Sequence, residues 1–187
     1  MREKYDLKYY PSVFMLLALV ALVVPVESQS GQQSPANFAQ WSENAINWGE
    51  AHLNSREWWD SANQQGYCLQ FVSNAFMQEK VEGASGYGTA LEAANGLYRF
   101  DQEPGGWQYA PRGAVIFFDG KGSNKDGHVG IYLGGGRILN AYGKVQEFTI
   151  DEAMAKPDVG QYIGWSYPPE SWRPASETGK NAAATGA

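Results

Sequence analysis

The residues of this chain best suited to nucleophilic chemistry are its single cysteine, Cys68, its two histidines, His52 and His128, and Asn140. A cysteine nucleophile needs a thiol poised to ionise, a base within hydrogen-bond reach, and a group that orients the base. Cys68 follows Gly66 into the first turn of an amphipathic segment. A helix N-terminus there places positive partial charge beside the sulfur and favours the thiolate. The unpaired N–H groups of the same turn are suited to an oxyanion. The position also begins an apolar stripe, so taken alone it favours an inert buried cysteine, and the histidine and asparagine reverse that reading. His128 opens a strand directly after the flexible stretch Gly120 to Gly127, where its ring can point into a cleft. Asn140 lies on the next strand, across the Gly134 to Gly136 turn. Its amide oxygen is placed to accept the Nδ1–H of His128 and so hold the tautomer. His52, near the end of the first helix, reads as a surface histidine beside a helix C-terminus.

The elements that must position these residues follow from periodicity. Phe38, Trp41, Ala45, Ile46 and Trp48 recur at helical spacing, which predicts a helix from Ser34 to about Leu53 with Ser34-Pro35 as cap and first turn. Cys68, Phe71, Val72, Ala75 and Phe76 fall at i, i+3, i+4, i+7 and i+8 of a second helix. A third helical piece runs from about Thr89 to Phe100, after the glycine-rich break Gly83 to Gly88. From Pro111 the pattern turns to short strands: Ala114–Asp119, His128–Leu133, Arg137–Tyr142, Val145–Ile150 and Tyr162–Tyr167. Helices followed by an antiparallel run of strands make an α+β domain, expected over residues 34–168. Residues 169–187 carry little apolar periodicity and are expected to form a disordered tail.

Arg2, Lys4 and Lys8 precede an uncharged apolar run from Val13 to Val24 that Pro25 ends. That run is shorter than the ~18–20 residues of a membrane span and reads as a signal peptide over residues 1–28. Cleavage after Ser28 would leave a short extension, residues 29–33, and a secreted, periplasmic or wall-associated protein. An uncleaved segment is the one expected route to a membrane. Removing it takes away three basic and three acidic residues, so the net charge stays at −6. With that balance and no Lys/Arg cluster, nucleic acid is not the expected target. One cysteine permits no intramolecular disulfide, although exported proteins usually pair their thiols.

Other chemistries lack their residues. No G-x-S-x-G elbow occurs. Gly86-Tyr87-Gly88 has Leu91 where a dinucleotide loop needs its third glycine. Asp119 to Asp126 puts Lys121 at a calcium-ligand position. Two histidines and one cysteine on separate elements give no metal set. Neither cofactor nor metal is expected.

The run GHVGIYLGGGRILNAYGKV (Gly127 to Val145), with PRGAVIFF (Pro111 to Phe118) before it and YIGWSYP (Tyr162 to Pro168) after it, resembles the NlpC-type cell-wall endopeptidases. The resemblance extends from about Gly66 to Pro168. It implies a papain-like fold, with N-terminal helices packed on a small antiparallel sheet. It also implies an acyl-enzyme mechanism on peptidoglycan stem peptides, with Cys68 as nucleophile, His128 as base and Asn140 as the orienting residue. The third residue of the family is more often His. Tyr67-Cys68-Leu69-Gln70 departs from the family's usual Asp-Cys-Ser-Gly, which puts the substrate in question and leaves the reaction type standing. The related CHAP amidases are similar in their looser helix pattern, which YCLQFV fits. An amidase or acyltransferase of the same fold, or a wall-binding module without catalysis, are the alternative readings. Trp58, Trp59 and Tyr67 flank the nucleophile and are candidate walls of a substrate groove, with core packing as their other role. A monomer acting on peptidoglycan peptide is expected.

Overall fold

The computed structural model describes residues 34–62 and 65–177. The expected signal peptide, the extension 29–33 and the final residues 178–187 lie outside the described residues.

The first helix, α1, spans Phe38–Glu50 and buries Phe38, Trp41, Ser42, Ala45, Ile46 and Gly49 along one face. It begins later than the Ser34-Pro35 signal suggests. Asn37 takes the left-handed conformation as N-cap, at φ 55°, a state Asn tolerates better than most residues. A short hairpin of β1 (Trp59–Asp60) and β2 (Gln65–Gly66) leads into α2, Cys68–Met77. Eight of the ten residues of α2 are buried, because α1 covers one side of it and the sheet the other. α3 is only Ala90–Gly96, capped by the Thr89 side chain.

Five strands follow: β3 (Val115–Gly120), β4 (His128–Gly134), β5 (Arg137–Tyr142), β6 (Lys144–Thr149) and β7 (Val159–Ser166). They form one antiparallel sheet in the order β6-β5-β4-β3-β7. A five-residue helix, α4 (Ile150–Met154), closes β6 through a capping box between Thr149 and Glu152. The sheet is buried on both faces, so β3 and β4 read as nearly continuous apolar runs. Val115, Phe117, Val129, Ile131 and Leu139 meet the helices. Ile116, Phe118, Tyr132 and Ile138 meet a second core with Phe148, Ile150 and Trp165. The fold is the expected α+β arrangement of helices on an antiparallel sheet.

The chain does not become a tail at residue 169. Glu170–Trp172 forms a single 3-10 turn, and Trp172 is fully buried. Its indole N–H donates to the Ser85 carbonyl at 2.9 Å, and its ring stacks near Phe76. Arg173 is buried over the Trp41 ring, pairs with Glu170 at 2.6 Å and 2.8 Å, and donates to the Ala36 carbonyl. One Trp and one Arg with specific partners anchor the segment, where a search for helical or strand periodicity finds nothing.

Candidate active site

Cys68 is the first residue of α2 and His128 the first of β4, so each stands at the end of a rigid element and not within a loop. Gly127 makes the turn into β4 at φ +75°, and a Cβ there would come within 2.8 Å of the Phe118 carbonyl oxygen. Only glycine fits such a turn without strain. Cys68 packs in the core on the helical side of the sheet. The His128 ring sits beside Phe118 and Tyr142, on the side of the second core. Cys68 and His128 both line one cleft of about 700 Å³ at the start of β4.

Asn140, on β5, is fully buried. Its Oδ1 lies 3.1 Å from His128 Nε2, and its Nδ2 donates to the Gln146 carbonyl at 3.2 Å. The second bond fixes which end of the amide faces the ring. Because Oδ1 can only accept, Nε2 must carry the hydrogen, and Nδ1 of the neutral ring keeps its lone pair. The nitrogens are therefore used the other way round from the sequence expectation: Asn140 engages Nε2, which leaves Nδ1 as the basic atom.

The electrostatics also correct an expectation. Burial pushes the Cys68 thiol up to about 11, although the N–H groups of Val129, Leu69 and Cys68 itself favour the thiolate. Burial likewise holds His128 down to about 4, against the opposing effects of its Asn140 bond and the Asp158 charge. Desolvation outweighs the helix terminus because Cys68 is only 8% exposed. At neutral pH the resting cleft holds a thiol and a neutral imidazole.

Of the three candidate groove residues, the structure brings two to the cleft. Trp59 and Tyr67 line it, and Tyr67 is 39% exposed. Trp58 does not line it. Its ring packs edge-on against Phe71 and Trp48 and is 2% exposed, which makes it a core residue. His52 packs against Trp48, with Nδ1 2.7 Å from the Trp48 carbonyl, and takes no part in the cleft. Among the described residues no cluster of His, Cys, Asp and Glu could hold a metal ion.

Sequence reasoning missed Tyr142, Asp126 and Asp158, all on the cleft wall. Tyr142 had a usable signal: it lies two residues after Asn140 on the same strand, hence on the same face. Asp158 had none, since it belongs to the turn before β7 and reaches the cleft only through the packing of that strand on β3.

The model of a family described as "NlpC/P60 family" matches residues 58–163, which include Cys68, His128 and Asn140. Among solved structures, the chain is similar to the peptidoglycan hydrolase RipB from Mycobacterium tuberculosis. The identity is 26% over 69% of this chain and 68% of that one, with a TM-score of 0.45. It is also similar to RipD from the same organism, described as a non-catalytic NlpC/p60 domain protein adapted to peptidoglycan binding. There the identity is 15% over 67% and 96% of the two chains, with a TM-score of 0.44. The P60 domain of an antigen from M. avium subspecies paratuberculosis matches at 18% identity over 71% and 98%, with a TM-score of 0.40. No curated protein matches the chain.

Proposed function

Since the chain belongs to the NlpC/P60 family of peptidoglycan hydrolases, we propose that it is a cysteine peptidase or amidase that cuts amide bonds in peptidoglycan stem peptides. Cys68 is the nucleophile, His128 the base and Asn140 the residue that orients the base. The observation that carries this reading is the His128–Asn140 bond, with the amide turned by Gln146 so that Nδ1 is left as an acceptor in the cleft that Cys68 lines.

With thiol and imidazole both neutral at rest, proton transfer and attack go together. The Cys68 proton moves to Nδ1 as the sulfur adds to the carbonyl carbon, and N–H groups at the start of α2 are suited to the oxyanion. The imidazolium then gives its proton to the leaving amine. In the second half His128 activates water, which releases the acyl group from sulfur. Tyr67 and Trp59 are the proposed walls for the peptide. A monomer exported through its N-terminal segment suits a wall substrate, and export is part of this proposal.

A second reading, a wall-binding module, is favoured by one observation: the thiol is buried and held near 11. Incubating the purified protein with peptidoglycan, with mass analysis of what is released, separates the two. New free amino and carboxyl ends that vanish in Cys68→Ala support the hydrolase. Binding without release supports the module. Release that persists in Cys68→Ala overturns the thiol mechanism.

A further inference from the structure

Asn140 is neutral, so the bond that orients His128 brings no negative charge to its ring. Taking a proton makes that ring a cation in a place where burial already opposes charge. A carboxylate facing it would offset this cost. Among the described residues lining the cleft, the carboxylates are Asp126 and Asp158, and no Lys or Arg is present. They act on different partners. The charge of Asp126, in the loop ahead of β4, bears on Cys68 and disfavours the thiolate. That of Asp158 bears on His128 and favours the imidazolium.

Asp158 is held in place. The Tyr142 hydroxyl donates to its Oδ1 at 2.6 Å. Its backbone carbonyl accepts from Asn124 Nδ2 at 3.0 Å and from the Lys121 N–H at 3.2 Å. The Tyr142 ring stands edge-on to His128, with centroids 5.9 Å apart and planes at 89°. One tyrosine thus packs against the imidazole and grips the carboxylate.

We propose that Asp158 is a positioning residue for the reaction, a fixed counter-charge to the imidazolium of His128 in the same cleft, held by Tyr142, whose ring packs against the imidazole. The proposal rests on Cys68 and His128 being the reacting pair. In the step concerned the S–H bond of Cys68 breaks, its proton forms an N–H bond with the lone pair of His128 Nδ1, and the sulfur keeps the electron pair. The total charge of the pair does not change. Asp158 assists because it acts on the histidine end, where positive charge appears. The other groups facing His128 carry no charge: Phe118 from β3, Asn140 from β5, and Tyr142, whose hydroxyl is pushed up to about 12 by burial and by Asp158. Lys156, a cation on that side, lies over the Tyr142 and Phe148 rings.

The test is the pH dependence of Cys68 alkylation by iodoacetamide, which needs no wall substrate and reads the thiolate–imidazolium pair directly. Asp158→Asn keeps an acceptor for Tyr142 and removes the charge. It should slow alkylation at pH 7 by about 3- to 10-fold, as a shift of half to one pKa unit implies. Tyr142→Phe, which keeps the ring, should slow it in the same direction by less. Asp126→Asn should leave the rate equal or faster. Unchanged alkylation in Asp158→Asn, slowing by both Asp variants alike, or a native thiol inert at every pH each overturns the proposal. Normal alkylation effects without wall hydrolysis would leave this inference standing and sink the hydrolase reading.

Discussion

Asn140 holds His128 through Nε2, at 3.1 Å, while the other end of the same amide is tied to the Gln146 carbonyl. This two-point attachment turns a neutral side chain into a tautomer lock. The amide cannot rotate to offer its NH₂ group to the ring without losing the Gln146 bond and setting Oδ1 against that carbonyl, two acceptors face to face. The basic nitrogen is thereby left free in a residue that lines the cleft before any substrate arrives, and two consequences for Asn140 variants follow from that geometry.

Asn140→Ala should retain measurable wall hydrolysis, reduced by roughly 10- to 100-fold, because the ring keeps its Phe118 and Tyr142 contacts and loses only the lock. Asn140→Asp should move the acidic limb of the pH–rate profile upward, since a carboxylate at the same place favours the imidazolium. Steady-state rates across pH 4 to about 8, the range in which a histidine titrates, check both.

Cys68→Ala and His128→Ala should each abolish hydrolysis of purified peptidoglycan while the protein stays folded. Circular dichroism and thermal melts give the second half of that expectation. Full activity in either variant ends the proposed mechanism.

Stability should fall at both ends of the pH scale for identifiable reasons. His128 is held near 4 in the fold against an ordinary value of 6.5. The unfolded chain therefore binds the proton first as pH drops, and stability declines from about 6.5 down to about 4. The loss is on the order of 3 kcal/mol. Cys68 is raised to about 11 from 9.0, so its contribution is complete below 9 and is lost as pH climbs toward 11. Denaturant melts of His128→Gln should show a smaller decline between about 6.5 and 4, and those of Cys68→Ala a smaller one from 9 upward, with the raised tyrosines Tyr142 and Tyr162 still contributing at higher pH.

Trp172→Ala should destabilise the protein by ~3–5 kcal/mol, because it removes a fully buried indole and leaves the Ser85 carbonyl without its donor. Truncation after Pro168 should do at least as much, since it also removes Arg173 from Trp41 and Ala36. Thermal denaturation measures both.

The three aromatic residues ahead of the nucleophile should separate cleanly. Trp58→Ala should lower the melting temperature through its lost contacts with Phe71 and Trp48. Trp59→Ala and Tyr67→Ala should leave it nearly unchanged and raise KM, as expected for residues on the cleft wall. Titration with soluble wall peptides reads the difference.

The sequence alone determined what local rules can determine. The apolar spacing from Cys68 to Phe76 placed the cysteine at a helix start, because a helix shows the same face every three to four residues. The Gly134–Gly136 turn set His128 and Asn140 on adjacent strands, and a hairpin turn sets its own pairing. What tertiary structure decided were the properties that depend on distant neighbours. It set Nε2 of His128, not Nδ1, against Asn140, and fixed which end of that amide faces the ring through a carbonyl on β6. It raised the thiol, because desolvation is the work of the whole surrounding core and overrides the helix terminus that a local reading favours. It put Trp58 inside and Trp59 on the cleft wall, though the two are adjacent in the chain. It also anchored Trp172 and Arg173, which show no periodicity to read, and brought Asp158 into the cleft of a histidine thirty positions away. Burial and long-range pairing are collective quantities, and no window along the chain contains them.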